Sequence, residues 1–136
     1  MITRYRTADL ELVSATSLEA LREELNGMGH FNLSSHRRGR YWFESFEVSP
    51  ERKTAESNAK AFLRALDELS PASKKKLAHC SSRVLDFAFD IGDDDQTFST
   101  RLSAETIEGL ARFRVEIRWT LYQDRTDEEK GHRESP

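Results

Sequence analysis

Val84-Leu85-Asp86-Phe87-Ala88-Phe89-Asp90-Ile91 places Leu85, Phe87, Phe89 and Ile91 on one side of an extended chain and Asp86 and Asp90 on the other. Strict alternation over this length predicts a strand with one face in a core and one toward water, and its position in the sheet is expected to be central. Gly92-Asp93-Asp94-Asp95-Gln96 then reads as a turn. Beyond it, Phe98, Thr100 and Leu102 predict a short strand, and Ser103 caps a helix expected to hold Ile107, Leu110 and Ala111 inward. Val115, Ile117, Trp119 and Leu121 alternate again and predict a closing strand.

Working back from the same stretch, Ser70-Pro71 opens a short helix to about Ala78, proline being tolerated at the first helical position because its missing N–H costs nothing there. Ser49-Pro50 gives the same start signal for a longer helix with Ala55, Ala59, Phe62, Leu63, Leu66 and Leu69 as its buried stripe. Before it, Phe31-Leu33-Ser35 and Trp42-Phe46-Val48 flank Arg37-Arg38-Gly39-Arg40 and read as a hairpin turning at Gly39. Tyr5 to Ser14 alternates Ala8, Leu10 and Leu12 with Asp9 and Glu11, a half-buried strand. Thr16 and Glu19 have capping-box spacing ahead of a helix with Leu18, Leu21, Leu25 and Met28, stopped by Gly27 and Gly29.

The expected order is β-α-β-β-α-α-β-β-α-β. Irregularly spaced helices argue against a doubly wound parallel sheet, and tight hairpins need antiparallel pairing. The fold class predicted is α+β, a mainly antiparallel twisted sheet of about six strands with helices packed on one face. Residues 1–122 form the single domain, and 123–136, charged and without apolar company, are expected to be a disordered tail.

With 136 residues, 37% hydrophobic and 33% charged, one domain is the natural size, able to build a core without metal or disulfide staples. Cys80 is the only cysteine, so no internal disulfide can form. No apolar run approaches the ~20 residues that span a bilayer, and no apolar core follows Met1-Ile2-Thr3-Arg4, so the expectation is a cytoplasmic protein without anchor or signal peptide.

Candidate chemistry is sparse. Arg37, Arg38 and Arg40 beside Tyr41 and Trp42 combine phosphate-holding guanidinium groups with a stacking ring, an alternative nucleotide- or RNA-binding surface. The net charge of −3 works against it, since nucleic-acid binders usually carry a basic footprint, and a solvated basic turn explains the same residues. The acidic turn Asp90, Asp93, Asp94, Asp95 lacks EF-hand spacing, but it offers negative potential to a basic protein partner or imitates phosphate toward it. His79-Cys80 is the minimum for thiolate catalysis, yet adjacent side chains rarely point at each other. Glu44, Asp86 and Asp90 could share acid–base work only if their strands are neighbours. The histidines show no zinc spacing, and the six glycines spell no phosphate-cradling loop, so no metal and no cofactor are expected. If helices cover one face only, the other exposes Tyr41, Phe43 and Tyr122 with Glu116 and Arg118, a surface suited to protein docking.

Tyr41-Trp42-Phe43-Glu44-Ser45, Phe62-Leu63-Arg64-Ala65-Leu66, Leu85-Asp86-Phe87-Ala88-Phe89 and the unit from Leu102 to Tyr122 resemble the uncharacterised bacterial family known as domain of unknown function 4279, over roughly Ala8 to Tyr122. The early stretch of that family, a proline-containing helix start and a Gly-Leu-x-Pro-Thr-like turn, is replaced here by Thr16-Ser17-Leu18-Glu19 and Gly27-Met28-Gly29. Small families of this kind resemble immunity proteins. The resemblance implies a non-enzymatic protein-binding module that neutralises a partner toxin by occluding it, and a small enzyme with an unrecognised site is the remaining alternative.

Overall fold

In the computed structural model, which describes residues 2–47, 54–93 and 95–123, the chain runs β1 (Arg4–Ser14), α1 (Glu19–Gly27), β2 (Phe31–Arg38), β3 (Tyr41–Glu47), α2 (Ala55–Glu68), α3 (Pro71–Ala78), β4 (Ser82–Ile91), α4 (Ala104–Arg112) and β5 (Glu116–Gln123). The strands form one sheet in the order β2-β3-β1-β4-β5. β1 pairs antiparallel with β3 and with β4, and β2 pairs antiparallel with β3 across Gly39, whose φ of 62° suits the tight turn. β4 and β5 run parallel.

The class is α+β as expected, but the sheet has five strands and is mixed. Phe98–Leu102 forms no strand. Residues 92–115 instead act as the long crossover that a parallel partner for β4 requires, a connection no hairpin can supply. The middle position belongs to β1, with β4 flanked by β1 and β5.

Side-chain parity assigns the two faces. Ala8, Leu10 and Leu12 of β1, Phe46 of β3 and Leu85, Phe87 and Phe89 of β4 form one buried cluster with Leu21 and Leu25 of α1 and Phe62 and Leu66 of α2. A register shift between Tyr5 and Thr7 turns Tyr5 onto this helix-covered side, where its ring meets Phe89 edge-on and Asn58 of α2 donates to its hydroxyl. Burial pushes the Tyr5 phenol up to about 12, with the Asn58 bond acting against that shift.

Several local expectations are corrected. Thr16 and Glu19 make no capping box: α1 starts after Leu18 without a side-chain cap, because Thr16 is drawn back to the Ser14 hydroxyl and Lys76 donates to its Oγ1. α2 begins at Ala55 behind a Thr54–Ser57 capping box, and Ser49-Pro50 lies outside the described residues. On α4 the buried positions are Thr106 and Leu110, while Ile107 and Ala111 face solvent, since the helix rests on α2 through Gly109 against Leu63. In β5, Val115 precedes the strand and is buried, but Trp119 and Leu121 are 47% and 61% exposed, no helix among the described residues covering that end of the edge strand. Gln123 closes β5, and the tail expected beyond it lies, from residue 124, outside the described residues. No helix among the described residues is long and apolar enough to cross a membrane.

Candidate partner-binding face

The sheet face away from the helices is uncovered among the described residues, and register sets its side chains in rows. One row crosses all five strands: Phe31 of β2, Glu47 of β3, Asp9 of β1, Asp86 of β4 and Arg118 of β5. The next holds Ser34, Ser45, Glu11, Val84 and Glu116, and the one beyond it His36, Phe43, Val13 and Ser82. Arg38 and Tyr41 end the face on the hairpin side, and Arg4, Asp90 and Tyr122 form a row at the opposite end.

Three carboxylates therefore stand side by side at the centre, an arrangement that cross-strand electrostatics disfavours. Arg118 donates to Asp86 Oδ2 at 3.1 Å and also pairs with Glu11, Thr120 donates to Asp86 Oδ1 at 2.6 Å, and Thr7 donates to Glu47 Oε1 at 3.1 Å. Asp9 receives no such help: its Oδ1 is enclosed and lacks a hydrogen-bond partner among the described residues. Burial, then the neighbouring charges of Glu47, Asp86 and Glu11, push its carboxyl up to about 6, with Arg6 opposing. Beside it, a shallow groove of about 220 Å³ is lined by Asp9, Glu11, Val13, Ser34, Ser45, His36 and Phe43, with Leu12 and Glu44 also contributing. His36 stacks on Phe43 at 5.1 Å between ring centroids.

Tyr41, Phe43, Glu116 and Arg118 thus share the uncovered face, as does Asp90, which lies 3.7 Å from Arg4 and 3.8 Å from Arg6. Asp93 and Asp95 are exposed in the connection after β4, and Asp94 lies outside the described residues. The arginine hairpin does not converge. Arg37 and Trp42 occupy the helix-side parity and Arg38 and Tyr41 the open one. Each guanidinium also lies over a ring of the chain itself, Arg37 at 5.4 Å from Trp42, Arg38 at 6.0 Å from Phe43 and Arg40 at 5.3 Å from Tyr41, so the surfaces a base would stack on are already partly covered.

The carboxylates Glu44, Asp86 and Asp90 do not meet either. Glu44 turns under α1, where it is 3% exposed and accepts from Arg22 at 2.8 Å, Ser35 at 2.7 Å and Asn32 at 3.0 Å. A buried charge so completely paired is a structural tie between α1 and the β2–β3 hairpin. His79 and Cys80 point back at α3, the ring Nδ1 to the Lys75 carbonyl and the thiol to that of Lys76. Burial pushes the Cys80 thiol up to about 11 against the pull of Arg83, so it is protonated near neutral pH and a poor nucleophile. Among the described residues no group of three or more His, Cys, Asp or Glu is placed to hold a metal ion.

Asp9, Glu11 and Glu47 were not singled out by the sequence. Alternation marks Asp9 and Glu11 as outward-facing, but only the strand order brings β1 between β3 and β4 and makes them neighbours of Glu47 and Asp86. Compared with known proteins, the chain matches no family model, no curated protein and no solved structure.

Proposed function

We propose that the protein is a non-enzymatic binding module that docks a basic segment of a partner protein on the open face of its sheet. The observation that carries this reading is the row Glu47–Asp9–Asp86: like charges placed side by side cost folding energy that a cationic partner returns on binding. Tyr41 and Phe43 on one side and Tyr122 on the other, each with an arginine over its ring, place arginine–aromatic pairs at the margins, the residue types that dominate protein contacts. Exposed Asp93 and Asp95 add negative potential that speeds encounter with a basic protein. In its specific form the reading is an immunity-type protein that occludes the basic site of a toxin in the cytoplasm, a form the resemblance to domain of unknown function 4279 also suggests.

Partners recovered from the native host with the wild-type protein provide the test. Their affinity is measured against Asp9→Asn/Asp86→Asn and against Tyr41→Ala/Phe43→Ala. A loss of tenfold or more in the carboxylate variant, steeper at low ionic strength, is the expected result. Equal affinity of wild type and carboxylate variant overturns the open face as the docking surface.

A further inference from the structure

We infer that docking of a cationic partner on the open face is coupled to release of a proton from the Glu47–Asp9–Asp86 row, so that the protein grips its partner more tightly at neutral than at mildly acidic pH. This rests on the docking reading above and adds its regulation.

The geometry behind it is the crowding of Asp9. Glu47 faces it directly from β3 and Asp86 from β4, with Ser45, Val84 and Ala88 as the diagonal neighbours on those strands. On its own strand Thr7 and Glu11 flank it on the same face, and Arg6 is the cation whose charge acts on it. Arg118 of β5 is taken up by Asp86 and Glu11. No helix packs on this side among the described residues, and His36 is the one further ionisable group of β2 that lines the groove beside Asp9.

A carboxyl with two carboxylates opposite and one oxygen enclosed without a donor holds its proton more tightly than an isolated aspartate. The shift to about 6 places that proton within reach of ordinary changes in pH. A guanidinium or ammonium brought beside the row has the opposite effect and favours the ionised form. Linkage then fixes the sign. Below about pH 6 the partner must displace a proton and binds more weakly, and above it the site is already ionised. Asp86 and Glu47, each already accepting a hydrogen bond, lack this feature, which makes Asp9 the coupled group.

The test uses the full chain and a hexa-arginine peptide as the cationic probe. The Asp9 side-chain carboxyl carbon is followed by NMR through a pH titration, free and with saturating peptide, and peptide affinity is measured at about pH 5 and about pH 7 for wild type and Asp9→Asn. His36 lines the same groove, so the site-specific Asp9 resonance is the deciding readout. We expect an Asp9 midpoint near 6 that falls when peptide is added, a wild-type affinity roughly tenfold higher at the upper pH, and a much flatter profile for Asp9→Asn. Peptide binding with an Asp9 midpoint near the ordinary aspartate value, or one unmoved by peptide, overturns the coupling and leaves docking intact. Failure of the peptide to bind at either pH overturns both.

Discussion

Asp9 sits in a folded environment that favours its neutral form, and this has a consequence for stability that needs no partner. Its ordinary value is 3.8 and its folded value about 6, so the folded chain holds the proton more tightly than the unfolded one. Below the lower value both states are protonated and there is no penalty. Between the two the penalty grows, and above about 6 it is fully present. Asp9→Asn, which removes the charge at constant shape, is therefore expected to stabilise the protein at neutral pH by about 1–2 kcal/mol, allowing for screening at a partly exposed position, and to change little near pH 3. Urea unfolding at the two pH values reads both effects. Glu44 is the contrasting case on the neighbouring strand, a carboxylate buried but fully bonded, and the difference between them is one of parity: position 44 faces α1 and position 9 faces water. That parity was legible in the local alternation of β1, whereas the company each carboxylate keeps was not, since it depends on which strands become neighbours.

Helix starts were legible where the signal is local. Ser70 ahead of Pro71 and Ser103 ahead of α4 both accept from the amide three residues on, at 3.1 Å in each case. What sequence spacing concealed is that each of these caps is itself held by a glutamate from another helix. Glu24 of α1 accepts from the Ser70 amide at 2.7 Å, from the Ser70 hydroxyl at 2.9 Å and from Ser73, and Glu56 of α2 accepts from the Ser103 amide at 3.0 Å. The bonds from Ser73 and Ser70 hold the Glu24 carboxyl below its usual value, so its contribution is present above the ordinary glutamate value of 4.5 and fades as pH falls through the lower folded one. Glu24→Gln is expected to cost about 1 kcal/mol at neutral pH, with the difference from wild type shrinking once the pH falls below the ordinary glutamate value, as thermal melts across the acid range will show. The failed Thr16–Glu19 box teaches the converse. Correct spacing was present, but Ser14 and Lys76 claimed the threonine first.

At the level of the whole molecule, the faces of β1, β3 and β4 could be read from alternation, and the α+β class with them, whereas in β2 a register shift between Asn32 and Ser34 puts Phe31 and Ser35 on opposite faces and leaves Phe31 and Leu33 exposed. Strand order and direction could not, because nothing local distinguishes a β5 that returns by hairpin from one that returns by crossover. The uncovered face followed the same divide: Tyr41, Phe43, Glu116 and Arg118 were identifiable by parity, while the central row Glu47–Asp9–Asp86 exists only once β1 lies between β3 and β4. That placement has a further outcome for biosynthesis. The middle strand is made first but cannot close its second edge until β4 has been made, with Tyr5 meeting Phe89 and Arg4 meeting Asp90. At ~5–20 residues per second the ribosome leaves that second edge of β1 unpaired for roughly 4–16 seconds. A fragment spanning residues 1–81 should accordingly show no cooperative melt by circular dichroism, where residues 1–123 do. From the making of β1 until that of β4, the growing chain is thus open to chaperones and proteases, its first strand sheltered on one side alone.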